Sequence, residues 1–328
     1  MQVRLIGYDD MKDRLAWAEA VESLRSGHLR PKASVVDMTL GPAEATLLSR
    51  AAFIEGLGYG VKSVTVFDRN AAQDLPTVQG ALFVFEPEQG RLAAIIDSRL
   101  VTELKTAADS VLGALFLARR DSTHLLVVGA GTVARSLIQD YRALFPGLQR
   151  ISIWERRAEQ ADTLVRSFDE EPVSVVSVAD LAAAAADADI IATATMARQP
   201  IMLGAWIRPG THVDLIGAYK ADMREADDAL ISRARLFVDS RETTIGHIGE
   251  LKIPIASGVI TEDAILGDLY DLVQGRTPGR RSDTEITVFK NGGGAHLDLM
   301  IAQRIVEVGE AHCLEPESDR GAHVGPAK

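Results

Sequence analysis

The segment His124-Leu125-Leu126-Val127-Val128-Gly129-Ala130-Gly131-Thr132-Val133-Ala134 is where the fold of this chain is read. Leu125 to Val128 is an unbroken apolar run of the kind buried on both faces of a parallel sheet, and Val133 to Leu144 has the spacing of an amphipathic helix. Between them Gly129 permits a sharp turn and Gly131 permits close approach of backbone to a pyrophosphate. The helix that follows presents unpaired N–H groups and the positive end of its dipole to the same point. Ala134 stands where a third glycine often stands, and its small side chain still lets helix and strand pack closely. Glu155 closes the next apolar strand, Ile151 to Trp154, 24 residues beyond Gly131, where a carboxylate accepts hydrogen bonds from an adenosine ribose. A Gly-rich turn alone is weak evidence. Strand, turn, helix and acid in this order read as a Rossmann unit that binds NAD or NADP through Gly129, Gly131, Thr132, Val133 and Glu155. Arg156 and Arg157 bear on which of the two. An arginine beside the acid can hold a 2′-phosphate, but as a solvated helix start the pair leaves Glu155 in charge, and NADH is slightly preferred.

Working outward, strand and helix alternate. A helix over 158–168, a strand over 173–176, a helix over 181–186 and strands over 189–194, 212–216 and 236–238 bring the total to about six, the size of a doubly wound parallel sheet. Upstream the texture differs. Arg4 to Leu29 has helical spacing, with Leu15, Ala18, Val21 and Leu24 on one face and Gly27 closing it. Short β-prone runs punctuated by Gly, Pro and Asn fill 34–100 and predict a hairpin-rich antiparallel sheet, and Thr102 to Ala118 carries an apolar helical stripe. After the strand-like Thr284 to Lys290, a helix from Ala295 to about Val308 is expected to return to the N-terminal layer. The chain is therefore α/β. Residues 119–290 read as a Rossmann doubly wound parallel sheet, and residues 1–118 with 291–328 as a discontinuous α+β domain.

Composition narrows the function classes. With 47% hydrophobic and 25% charged residues among 328, the chain has material for two cores. A formal net charge of -11 disfavours a phosphate-backbone partner, so no nucleic acid is expected. No run approaches the roughly 20 apolar residues that cross a bilayer, and one cysteine, Cys313, suits a reducing compartment; a cytoplasmic location is the expectation. His212 and Asp214 share one face of a short strand with no suitably spaced third ligand, so no metal is expected. From about residue 315 the chain loses periodicity and reads as a frayed tail.

Several further segments join the cofactor motif in resembling the ornithine cyclodeaminase and mu-crystallin family. They are Gly60-Val61-Lys62-Ser63-Val64 with Asn70, Leu75-Pro76-Thr77-Val78-Gln79-Gly80, Ala192-Thr193-Ala194-Thr195, Pro209-Gly210-Thr211-His212-Val213-Asp214-Leu215-Ile216-Gly217-Ala218 and Glu285-Ile286-Thr287-Val288-Phe289-Lys290. The resemblance spans roughly residues 30 to 310. It implies a homodimer whose sheet domain binds substrate and whose Rossmann domain binds the dinucleotide, with Thr77, Arg156, Thr195, Ile216 and Asn291 adding cofactor contacts. Lys62 takes the place of a substrate-contacting lysine and is the expected catalytic residue. The chemistry agrees, since an ammonium there can bond a substrate carboxylate or, with its pKa lowered by burial, donate a proton.

The chain departs from the family pattern at points that bear on chemistry. Lys105 in Leu104-Lys105-Thr106-Ala107-Ala108 replaces an arginine that grips the substrate carboxylate, keeping the charge but losing the two-pronged geometry. Arg50 reads equally as a further carboxylate contact and as a surface arginine. Tyr219 replaces the aspartate that cyclodeaminases use for proton transfer, and Lys220 beside it is an alternative proton donor. His247 lies in a glycine-flanked loop, where it reads first as a structural histidine and second as a substrate contact, and the backbone N–H groups of Asn291-Gly292-Gly293-Gly294 are candidates to face nicotinamide or substrate. These features imply an NAD(P)H-dependent reductase of a small cyclic imino acid such as 1-pyrroline-2-carboxylate. The alternatives are a cyclising ornithine deaminase and a crystallin-like protein that binds dinucleotide and ligand without turnover. Gly131→Asp is expected to abolish dinucleotide binding in calorimetry while the protein stays folded, because the new carboxylate would meet the pyrophosphate; unchanged affinity would remove the Rossmann assignment.

Overall fold

A computed structural model describes residues 3–42, 44–73, 75–168 and 173–313. Among these the first sheet contains β1 (Arg4–Ile6), β2 (Ser34–Leu40), β3 (Ala45–Ile54), β4 (Gly58–Phe67), β5 (Val78–Phe85) and β6 (Leu92–Asp97), in the order β1-β6-β5-β4-β3-β2. All pairs are antiparallel except β1 with β6. Side chains alternate as the pleat requires: Gly58, Gly60, Lys62 and Val64 of β4 are buried on the inner face, while Tyr59 points outward. Helices α1 (Tyr8–Met11), α2 (Trp17–His28) and α3 (Ser98–Leu117) accompany this sheet.

The N-terminus corrects the helix expected over Arg4 to Leu29. Leu5 and Ile6 pair with Ile95 and Ile96 of β6, and α2 begins only at Trp17. Its buried stripe is Ala20, Val21, Leu24 and Gly27, while Ala18 faces solvent. Gly27 lies inside the helix, where any side chain would collide with Met300. Local periodicity could not register a pairing partner some 90 residues away, and tertiary pairing overrode helical propensity. Helix α3 also differs from its expected one-sided stripe, since Leu104 to Ala114 is buried without interruption. A helix buried all round lies between layers. Here α3 packs on α2, α4, β5 and β14 together.

The second sheet is entirely parallel. Its strands are β7 (His124–Val128), β8 (Arg150–Trp154), β9 (Ser174–Ser177), β10 (Ile190–Thr193), β11 (His212–Leu215), β12 (Arg235–Val238), β13 (Ile265–Gly267) and β14 (Thr287–Lys290), in the order β13-β12-β14-β11-β10-β7-β8-β9. Helices α4 (Thr132–Leu144), α5 (Ala158–Arg166), α6 (Leu181–Asp187), α7 (Asp228–Arg233), α8 (Arg241–Thr244), α9 (Gly249–Ala256) and α10 (Leu269–Val273) connect them. The sheet has two strands beyond the expected six, and β14, last in sequence, inserts between β11 and β12. The chain runs from β7 outward through β8 and β9, then crosses back to β10 on the other edge of β7. That reversal opens a crevice at the carboxyl ends of β7 and β10, the place where doubly wound sheets bind ligands.

From β14 the chain passes through 291–294 into α11 (Ala295–Cys313), which packs on α2, α3 and the inner face of β3, β4 and β5. The first layer is thus built from both ends of the chain. The tail expected to fray lies outside the described residues.

Candidate active site

The crevice is shaped by glycine where backbone must come close. Gly129 has φ +122°, and a side chain there would stand 2.6 Å from the Ala194 carbonyl at the end of β10. Gly131 is the N-cap of α4 with no side chain capping it, and a Cβ added there would meet nothing within 4 Å. The first N–H groups of α4 therefore face open space. A cavity of about 400 Å³ continues from this point, lined by Gly131, Trp154, Glu155, Arg156 and Thr195 among others. Glu155 is half-buried at the tip of β8 and Arg156 beside it is exposed. Thr132 is exposed and Val133 half-buried at the start of α4. A dinucleotide fits this donor set: an uncapped helix N-terminus for its phosphates and a carboxylate for its ribose.

The far wall is held by a carboxylate absent from the sequence reading. Glu225 Oε1 accepts from the backbone N–H and hydroxyl of Thr195 at 2.9 and 2.7 Å, and Oε2 accepts from the Gly217 and Ala218 N–H groups at 2.6 and 3.3 Å. It ties together the loops after β10 and β11, and so fixes Ile216 and Thr195. Burial raises the pKa of Glu225, and Lys290 and the Thr195 hydrogen bonds oppose that rise. Thr77 lies on the connection into β5, where its carbonyl accepts from Phe67 N–H, and it lines neither this cavity nor the one described next.

Positively charged side chains converge on the inner face of the first sheet. Arg50 of β3 and Lys62 of β4 are register partners. The Lys62 ammonium donates to Asp298 Oδ1 of α11 at 2.7 Å, both side chains being buried. Arg50 grips Asp37 of β2 through Nε and Nη2 at 3.0 and 2.7 Å. Lys105 of α3 is buried too, with its Nζ so close to Gly293 that a Cβ there would stand 2.5 Å from it. Among the described residues Lys105 has no ion-pair partner. Burial is the largest influence on Lys62 and lowers its pKa; Lys105 and Arg50 act the same way and Asp298 opposes them. The surface-arginine reading of Arg50 is set aside, since it faces inward beside Lys62.

Beside these cations opens a cavity of about 650 Å³, lined by Arg50, Tyr219, Thr243, His247, Gly292 and His296 among others. Tyr219, 47% exposed on the loop after β11, carries the Lys220 ammonium 5.4 Å above its ring. His247 is exposed. His296, unmarked in the sequence, is buried against the rings of His28 and Tyr270 at 5.8 and 6.2 Å, and burial pulls its pKa well below the ordinary value.

The glycine loop corrects one expectation. The N–H groups of Gly292 and Gly293 donate to Asp239 Oδ2 at 2.9 and 2.5 Å and do not face a ligand. The Asn291 amide donates to the Thr106 carbonyl and the Ser110 hydroxyl, pinning the loop to α3. A buried carboxylate at the end of β12 had to satisfy its own acceptors, and the loop supplies the nearest donors. Asp298 was visible in principle: an aspartate between Leu297 and Leu299, on a face that buries Met300 and Ile301, demands a buried partner. His212 and Asp214 turn to Thr287 and Tyr141, away from the cavity.

A doubly wound sheet with an open helix N-terminus at its switch point defines a dinucleotide-dependent oxidoreductase. Residues 48–311 match the model of the Ornithine cyclodeaminase/mu-crystallin family, and the chain belongs to that family. It is 63% identical over 305 residues to the Delta(1)-pyrroline-2-carboxylate reductase of Paracoccus denitrificans, covering 93% of this chain and 96% of that protein. The Delta(1)-pyrroline-2-carboxylate reductase of Thermococcus litoralis, solved with NADH and L-proline, superposes with a TM-score of 0.89 at 27% identity, over 95% of this chain and 98% of that one. An archaeal alanine dehydrogenase dimer with bound NAD also reaches a TM-score of 0.89, at 25% identity over 96% and 98%.

Asp239 also accepts from Ser240 N–H and the Thr244 hydroxyl, so its carboxylate holds four donors. Asp239→Ala is expected to cost about 3 kcal/mol in urea unfolding and to speed hydrogen exchange at the Gly292 and Gly293 amides. Unchanged exchange there would show that the loop does not depend on this carboxylate.

Proposed function

We propose that the chain reduces small cyclic imino acids, 1-pyrroline-2-carboxylate foremost, with NADH or NADPH. The observation that carries this reading is Lys105, a buried lysine that makes no ion pair among the described residues, set beside Lys62 and Arg50 whose charges are already matched by Asp298 and Asp37. One substrate carboxylate completes that set. When bound, a reduced dinucleotide would supply the hydride for the ring carbon of the C=N bond, so that imino acid, reduced cofactor and one proton would give proline and oxidised cofactor. Lys62 holds the carboxylate together with Lys105 and Arg50, and burial suits its ammonium to supply the proton. Gly129, Gly131, Thr132, Val133, Glu155, Arg156, Thr195 and Ile216 hold the cofactor, with Asn291 supporting the site by fixing the loop under Lys105.

Glu155 favours NADH, because a carboxylate at the ribose repels a 2′-phosphate. Tyr219 speaks against cyclodeamination, because it replaces the carboxylate that would accept a proton from a terminal amine. Residues 1–118 with 291–328 act as the substrate-binding and dimerisation unit, residues 119–290 as the cofactor unit, and the enzyme works in the cytoplasm. The outer face of the first sheet supports a homodimer. Register aligns Val36, Ala51, Val61, Phe83, Ile95 and Leu5 across all six strands, and Val36, Phe53 and Tyr59 are 68%, 37% and 45% exposed.

The purified protein should oxidise NADH with 1-pyrroline-2-carboxylate, more efficiently than NADPH, and release neither ammonia nor proline from ornithine and NAD. Lys105→Met should raise KM for the imino acid about tenfold or more with a smaller change in kcat. Ammonia from ornithine would restore the cyclodeaminase reading, and tight dinucleotide binding without turnover would favour a binding protein. Sedimentation should show a dimer that Val36→Lys with Phe53→Lys converts to monomer; an unaffected dimer would place the interface elsewhere.

A further inference from the structure

We propose that Asp298 is a positioning residue for Lys62: it aims the ammonium and supplies the counter-charge that lets a buried lysine meet the substrate as a cation. The proposal rests on the reading of Lys62 as carboxylate holder and proton source. Lys62 leaves β4 on the inner face of the sheet, and Asp298 projects from the first turns of α11, 236 residues later, to meet it at 2.7 Å. The Lys62 side chain is 7% exposed and that of Asp298 is wholly buried. Such a pair forms only if each charge offsets the desolvation of the other.

The surroundings leave that task to Asp298 alone. From β3 comes Arg50, a second cation already bound to Asp37 of β2. From α3 come Lys105, a third cation, and Asp109, whose carboxyl burial and neighbouring Asp239 push well above the usual range and whose oxygens bond to no partner among the described residues. Asp239, after β12, spends its oxygens on the 240–244 turn and the glycine loop. From α11 comes His296, kept neutral by burial. Across the sheet from Lys62, β5 offers Leu82, which brings no charge. Asp298 is thus the one carboxylate among the described residues bonded to Lys62. Without it two neighbouring cations and the loss of water all favour the neutral amine. Its second oxygen, buried and without a hydrogen-bond partner, shows that the carboxylate is committed to Lys62 and to no competing donor.

The test compares the parent with Asp298→Asn, Asp298→Glu and Lys62→Arg, measuring kcat and KM for 1-pyrroline-2-carboxylate against pH at saturating NADH. Asp298→Asn should move the alkaline limb of kcat/KM to lower pH by about one unit or more, mostly through KM. NADH affinity by calorimetry should stay within about twofold, reporting an intact cofactor site. Asp298→Glu keeps the charge and should restore the parent limb. In a Lys62→Arg background, where the guanidinium stays charged, adding Asp298→Asn should leave the limb in place. A limb unmoved by Asp298→Asn in an active parent overturns the proposal, as does an equal loss at every pH. Should the Asn variant fail to fold, a Glu variant whose limb shifts like that of an uncharged side chain overturns it too. A parent without imino-acid turnover instead overturns the reading of the site.

Discussion

The placement of α3 between two sheets is the constraint on which the rest of this structure depends. The helix is buried on every side from Leu104 to Ala114, so both layers must conform to one rigid rod. Phe289 of β14 packs directly over Gly113, where any side chain would press into the ring. At the helix end the Leu117 carbonyl accepts from Arg280 Nε and the Thr287 hydroxyl, so the C-terminus of α3 is sewn to β14. Asn291 repeats this about two to three turns earlier in the helix, at Ser110 and Thr106. Through these bonds the cofactor crevice and the cation cluster keep a fixed separation, which a hydride transfer requires.

The same burial sets the electrostatics. Lys290, wholly enclosed, donates to the Leu215 carbonyl and lies among Glu225, Glu250, Asp239 and Asp214. Burial pushes the Glu250 carboxyl up to about 7, while its oxygens accept from the backbone N–H groups of Glu225 and Ala226. The Rossmann half thus carries an interior of carboxylates organised around one lysine, and the facing half carries cations with fewer acids.

Much of this was legible before any coordinates. The run from His124 to Ala134 with Glu155 predicts a βαβ unit, and that unit is present as β7, α4 and β8. Lys62 and Lys105 were marked by resemblance, and both prove buried. The reading failed where partners are remote. Leu5 and Ile6 became a strand because β6 offered an edge, and β14 entered the sheet between strands that precede it in sequence. Neither event leaves a local periodic trace.

By itself, then, the sequence determined the elements that follow from local chemistry: the apolar parallel strands, the glycine turn that exposes a helix N-terminus, and the residue types able to hold a carboxylate. Only the tertiary structure decided how their charges are matched. Asp298 pairs with Lys62 across 236 residues, Asp37 with Arg50 across a hairpin, Asp239 holds the loop beneath Lys105, and Lys105 makes no ion pair among the described residues. The physical reason is that a buried charge is defined by its neighbours in space, and packing α3 and α11 against the sheet is what brings those neighbours within a hydrogen bond.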